Sequence, residues 1–297
     1  MRESKGIKIL AYTTLSIVSI LAVLPLILLF IGSVTDNATA IAEGFSYFPS
    51  KFSGEAYKYI FDQWQLIGKG YGNTILVTAV GTAASLIITA MFGYGLTVRD
   101  LPGKKVLTIM VVISMLFNGG IVATYFVYTN VINIKDTYLA LLLPGYLMSA
   151  FNVILVSNYF KNSVSTELLE AARIDGASEF CVFWKILLPL SVPILATIGI
   201  MTAIAYWNDW TNGLYYLSSR DGQKYYTIQL ILNQINNNVN FMATNAAQLG
   251  MTIDTSSIPS TTVRMAIAAV GVIPLLIAYP FFQKYFVKGI SLGGVKG

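Results

Sequence analysis

The stretch EAARIDGASEFCVFWKILLP, Glu170–Pro189, sets several charges and an Asp175-Gly176 pair between two long apolar runs. Just before it, Ser165 and Thr166 are N-cap residue types ahead of Glu167–Arg173, a strongly helix-forming run. Asp175-Gly176 supplies the turn that ends that helix. A second short helix is expected from about Ser178 into Ile186 and Pro189. Small Ala171 and Ala172 beside Gly176 allow another surface to approach the backbone, while Glu170, Arg173 and Asp175 offer charge for pairing at a rim. On spacing alone, an ordinary amphipathic loop helix explains these residues equally well.

The surrounding chain places this stretch beside a membrane. Of 297 residues, 55% are hydrophobic and 11% charged, a composition far from that of soluble domains. Mean hydropathy is positive. Apolar runs of about 20 residues recur, the length that crosses ~30 Å of hydrocarbon. Six spans are predicted, at about Ile9–Val34, Gly72–Val98, Val106–Val131, Tyr138–Phe160, Leu187–Leu217 and Val263–Val287. All should be helices, because backbone polar groups in lipid must be satisfied within the segment. The first span is too long for a signal-peptide core and carries no small-residue cleavage pattern, so it reads as a retained anchor.

Orientation follows the cationic residues. Twelve Lys and Arg fall on the side holding both termini, against seven on the other side, spread over longer segments. Both termini are therefore expected in the cytoplasm, as is the quoted stretch, between spans four and five. Two long segments lie outside, at about Thr35–Tyr71 and Ser218–Thr262. Aromatic and aliphatic residues in the first (Tyr57, Tyr59, Ile60, Phe61, Trp64) suggest short helices at the membrane surface. No tandem repeat and no second soluble domain is evident.

Several chemistries have no residues to carry them. There is no histidine and one cysteine, Cys181, which reads most simply as a small apolar residue. No phosphate-binding glycine loop and no cluster at metal-ligand spacing occurs. These absences argue against an enzyme and against any cofactor bound by the chain itself. Asp209 is the clear acid within a span, whereas ion-coupled carriers bury several ionisable groups. Energy must come from elsewhere, or the protein is a passive pore, a facilitator or channel for small polar solutes that uses no ATP. The mildly basic balance reports topology, and nucleic acid is not an expected partner.

The spacing within the opening stretch then matters. Glu170-Ala171-Ala172, three residues, Gly176, nine residues, Ile186, one residue, Leu188-Pro189 matches the EAA signature of the membrane subunits of binding-protein-dependent ABC importers. The whole chain resembles the carbohydrate-uptake permeases of the maltose-transporter type. Leu141–Asn152 (LLLPGYLMSAFN), Tyr206–Trp210 (YWNDW) and the short tail after span six are similar to the subgroup that handles complex oligosaccharides. In that subgroup a proline is expected near Ala123 in Gly119–Tyr125. This chain lacks it, and with it the residue that would kink span three.

The resemblance implies an all-α membrane protein of the type I ABC importer permease fold. It implies an N-terminal helix and outside segment over 1–71, a transmembrane domain over 72–285 with its EAA loop at 161–189, and a cytoplasmic tail over 286–297. In the family the EAA loop is a coupling helix that docks on a separate ATPase, which implies ATPase-coupling roles for Glu170, Ala171, Ala172, Arg173, Asp175, Gly176, Ile186, Leu188 and Pro189. The implied partners are a second homologous permease, two copies of a cytoplasmic ATPase that holds ATP and Mg, an extracytoplasmic sugar-binding protein, an oligosaccharide substrate and the bilayer. The implied location is the plasma membrane of a prokaryote.

Two further groups of candidate residues complete this reading. Tyr206, Trp207, Asn208, Asp209 and Trp210 combine aromatic faces for sugar C–H surfaces with polar groups for hydroxyls, although such aromatics also form belts at membrane interfaces. Asp209 would hydrogen-bond a sugar or cap a break in span five. Asn118 and Asn152 are further pathway candidates, with helix–helix hydrogen bonding the alternative. The tail Ser291–Gly297 reads as too glycine-rich for a helix, and by resemblance Gly293, Gly294, Val295, Lys296 and Gly297 contact the ATPase pair.

Overall fold

A computed structural model of the protein describes residues 5–98, 100–245 and 260–293. Among these the secondary structure is helical, apart from an isolated antiparallel bridge between Thr35 and Phe52. The helices are α1 (Lys5–Ser33), α2 (Asn37–Glu43), α3 (Glu55–Phe61), α4 (Trp64–Gly95), α5 (Lys104–Leu116), α6 (Gly120–Phe126), α7 (Leu139–Leu142), α8 (Ala150–Ser163), α9 (Thr166–Ile174), α10 (Glu179–Val182), α11 (Leu188–Leu190), α12 (Val192–Asn208), α13 (Thr211–Tyr216), α14 (Ile228–Asn245) and α15 (Ser260–Gly293).

The chain divides into two units. One contains Met1–Ile67 and Ile231–Pro274; the other contains Gly68–Leu230 and Leu275–Gly297. In the first, Asp36 caps α2 by accepting from Thr39 N at 3.3 Å and pairs with Lys51 at 3.3 Å. Ser33 Oγ and Tyr57 Oη lie 2.8 Å apart, and Gly32 lies against Phe45 and Met265 where a larger residue would press on the Phe45 ring. Helix α3 buries Ala56 and Ile60 and leaves Phe61 exposed, stacked on Trp64 at 5.9 Å.

Three helices among the described residues are long and apolar enough to cross a bilayer: Lys5–Ser33, Trp64–Gly95 and Thr261–Pro280 within α15. Glu179–Leu190 with Val192–Asn208 makes a fourth if the pair, bent by 80°, counts as one span. Pro189 and Pro193 account for the bend, since each removes an amide donor and begins a new helix comfortably. The predicted third and fourth spans are not continuous helices. The third breaks at Phe117–Gly119, where Asn118 Oδ1 accepts from Gly120 N at 2.9 Å and Gly120 takes φ +76°. An interruption thus exists without the proline, because glycine reaches this left-handed conformation without steric cost.

The fourth breaks between α7 and α8 at Pro144-Gly145, with Gly145 at φ +81°. Irregular backbone at membrane depth is stable only where its polar groups find partners within the protein. Three side chains meet that requirement here. Tyr206 Oη donates to Leu142 O at 2.7 Å, Asn212 Nδ2 to Pro144 O at 3.1 Å, and Ser85 Oγ to Tyr146 O at 3.1 Å.

In the same unit, Asn73 of α4 holds the 218–227 segment. Its Nδ2 donates to Lys224 O and Tyr226 O, at 2.9 and 3.0 Å, and its Oδ1 accepts from Tyr138 Oη at 2.9 Å. Helix α15 runs to Gly293, which corrects the expectation that Ser291–Gly293 could not be helical: continuation of a long helix outweighs a propensity penalty of about 1 kcal/mol per glycine.

Candidate functional site

The Glu170–Pro189 loop is built from two capped helices around one glycine. Ser165 Oγ accepts from Leu168 N at 3.3 Å to start α9, and Ser178 Oγ accepts from Cys181 N at 3.3 Å to start α10. Between them, Gly176 N donates to Arg173 O at 3.0 Å and Ala177 N to Ala172 O at 2.9 Å. With Gly176 at φ +84°, this pair of bonds is a Schellman motif, the helix ending that glycine favours. A Cβ at Gly176 would meet nothing within 4 Å. The glycine is therefore needed in this chain for its backbone conformation.

From beneath, the loop is held by apolar packing. Val164, Leu169, Val182, Phe183 and Leu187 are buried with Ala90 and Tyr94 of α4 and Ile198 of α12, and Ala172, Ile186 and Leu188 pack against them. The backbone enters a π turn at Phe183–Leu187 before α11, so the second helix of the loop is in three short pieces. Facing away, Glu170, Ala171, Asp175, Gly176 and Pro189 are exposed. Leu168, Phe180 and Ile174 are also exposed, Ile174 at 86%.

Arg173 does not stand free at the rim. Its Nε donates to Glu179 Oε1 at 2.7 Å, and Nη2 donates to Glu179 Oε2 and Tyr94 Oη, both at 3.2 Å. Tyr94 Oη also donates to Glu179 Oε2. The Arg173 hydrogen bonds hold the Glu179 carboxyl below its usual range, and the carboxylate pushes the guanidinium further up. Sequence reading missed Glu179 and Tyr94. Six residues straddling a turn is not a helix-facing spacing, and Tyr94 lies 79 positions from Arg173.

The YWNDW residues separate on folding. Tyr206 is 1% exposed, its ring against Gly81 and 5.3 Å from that of Tyr146. Asp209 is 5% exposed, and its Oδ1 accepts from Thr211 N and Asn212 N at 3.0 and 3.1 Å. These two bonds cap the break between α12 and α13. The interrupted spans thus engage Tyr206 Oη and Asp209 Oδ1.

Asn208 and Trp210 are exposed, and Trp207 is half-buried with an unpartnered indole nitrogen. Trp207 ends an open groove of about 680 Å³ between α4 and α12, lined by faces that include Thr78, Thr82, Leu86, Leu195 and Gly199. The hydroxyls of Thr78 and Thr82 are buried and unpartnered there. Asn152 is half-buried on α8, and Asn118 is exposed, its side-chain oxygen engaged by Gly120 N. The structure does not bring these two asparagines to the groove lining. Gly293 ends α15, while Gly294, Val295, Lys296 and Gly297 lie outside the described residues.

Comparison with known proteins agrees with this architecture. The family model described as "Binding-protein-dependent transport system inner membrane component" matches residues 87–292. The chain is 38% identical over 288 residues to the polygalacturonan/rhamnogalacturonan transport system permease protein YtcP of Bacillus subtilis, covering 97% of each chain. It is 37% identical to protein LplC of the same organism, covering 94% of this chain and 91% of that one. A crystal structure of a bacterial ABC transporter involved in the import of the acidic polysaccharide alginate superposes with a TM-score of 0.77 at 29% identity, covering 96% of this chain and 99% of that one. The chain thus has the type I ABC permease fold and belongs to the family of binding-protein-dependent transport system inner membrane components, whose membrane permeases work beside a separate ATPase.

Proposed function

We propose that this chain is the permease subunit of an ATP-driven oligosaccharide importer. It forms the translocation pathway with a homologous permease in the plasma membrane, crosses that membrane six times and keeps both termini in the cytoplasm. The observation that carries this reading is the Glu170–Pro189 loop. Its inner face is locked into the core, whereas Ile174 and Phe180, with Leu168 just before it, stay exposed. An apolar surface on a short charged loop is the mark of a docking site, and a cytoplasmic ATPase pair is the occupant that family membership supports.

In this reading ATP and Mg sit on the ATPase, and an extracytoplasmic sugar-binding protein delivers the substrate. An oligosaccharide is supported by the names of the relatives. Trp207, Asn208 and Trp210 are the pathway residues left with unengaged surface. Gly293–Gly297 are assigned to ATPase contact by family resemblance, so their deletion should weaken ATPase binding while leaving membrane insertion intact.

The test is reconstitution of the permease pair with its ATPase and binding protein in liposomes. Uptake of a labelled galacturonan oligomer should require internal ATP and external binding protein. Uptake that persists without ATP would favour the facilitator and refute the proposal.

A further inference from the structure

The Arg173, Glu179 and Tyr94 side chains belong to three different segments. Arg173 is in the last turn of α9, Glu179 begins α10, which leads through α11 into α12, and Tyr94 is in the last turn of α4. Helices α4 and α12 are also the two walls of the groove. The four hydrogen bonds close a ring in which the Glu179 carboxylate accepts from both other residues. The fork-to-carboxylate arrangement is directional as well as attractive, and a lysine could not reproduce it.

Burial sets what this ring can do. The side chains of Arg173 and Glu179 are 35% and 54% exposed, so the pair is screened and adds little to folding stability. Tyr94 is 8% exposed, and its ring packs on Phe183 with centroids 5.6 Å apart. Its hydroxyl is therefore the buried end of the ring, costly to leave without partners. Helix α9 has nine residues, too few to be stable or rigid alone. Its position is set by what it is tied to.

We propose that Tyr94, Arg173 and Glu179 form a latch that ties the exposed loop to the inner ends of α4 and α12, so that displacement of the loop is passed to both walls of the groove. The latch rests on the reading of the loop as the ATPase-docking element. Arg173 and Glu179 are accordingly positioning residues inside this chain, and ATPase contact falls to their exposed neighbours Glu170, Ile174 and Phe180.

The experiment uses the assembled importer in liposomes and measures sugar imported per ATP hydrolysed, together with ATPase co-purification and the thermal unfolding midpoint. The variants are Tyr94→Phe, which keeps the ring packing, Glu179→Gln, and the reversals Arg173→Glu and Glu179→Arg, singly and combined. Each single variant should lower the import-to-hydrolysis ratio about fivefold or more, the low end of common inter-site coupling. The double reversal should regain most of the ratio, because the pair is restored in opposite sense. Unchanged ratios in Tyr94→Phe and Glu179→Gln would overturn the latch. A fall confined to the unfolding midpoint or to the amount of assembled complex would overturn it too, by showing only structural support. Failure of the wild-type assembly to import sugar with ATP would instead refute the function on which the latch depends.

Discussion

The Tyr206 phenol donates to the carbonyl of Leu142 at 2.7 Å, so a residue of α12 satisfies the end of α7 at the point where the fourth apolar run is interrupted. Helix ends leave carbonyls without intrahelical partners, and in a membrane protein no bulk water replaces them. Tyr206→Phe keeps the ring and removes this bond, and should lower stability by about 1–3 kcal/mol, the cost of an unsatisfied buried group. Gly81→Ala attacks the same contact from α4, since a Cβ there would lie 2.5 Å from the Tyr206 ring. Both should reduce the detergent-solubilised unfolding midpoint. An unchanged midpoint in Tyr206→Phe would mean that Leu142 O finds another donor.

Gly176 should tolerate substitution according to backbone conformation and not size. At φ +84° with open space around a Cβ, Gly176→Asn should retain most ATPase association, because asparagine enters the left-handed region most readily after glycine. Gly176→Val should lose it, with a strain of about 1–3 kcal/mol redistributed into the turn. Equal behaviour of the two variants in a pull-down with the ATPase would show that bulk on the docking face decides.

At Asp209 the acceptor matters more than the charge. Asp209→Asn keeps an oxygen for Thr211 N and Asn212 N and should support near-normal uptake. Asp209→Ala removes the cap and should cost about 1 kcal/mol or more. Trp210→Ala removes an exposed aromatic and should raise the substrate concentration for half-maximal uptake if it stacks on sugar, at about 0.5–1.5 kcal/mol. Unaltered uptake kinetics would leave Trp210 to the membrane interface.

Acid should weaken the loop. Folded Glu179 titrates below its ordinary value of 4.5, held down chiefly by the Arg173 hydrogen bonds. Its pairing therefore contributes fully above the unfolded-state value and disappears as pH falls through the lower folded one. The difference in unfolding midpoint between wild type and Glu179→Gln should be small near neutrality, as exposure requires, and should shrink toward zero below about pH 4.5. A difference that grows with acidity would contradict the assigned direction.

Much of this was legible in the sequence, for identifiable reasons. Long apolar runs marked the membrane class because the bilayer demands length and intrasegment hydrogen bonding. The Asp175-Gly176 turn and the serine caps were legible because capping is local chemistry: Ser165, Ser178 and Gly176 each act within three residues of their own position or at their own dihedral. The interruption at Gly119-Gly120 was missed because a missing proline drew attention away from a glycine that also breaks helices.

By itself, then, the sequence determined an all-helical membrane chain, the loop between its fourth and fifth apolar runs, and the residues able to turn it. Only the tertiary structure decided which polar side chains remained available. Tyr206 Oη and Asp209 Oδ1 are engaged at broken helix ends, and Arg173 is taken by Glu179 and Tyr94. The physical reason is that a hydrogen bond depends on where two distant segments meet, such as α4 and α9, while sequence spacing records only the periodicity within each.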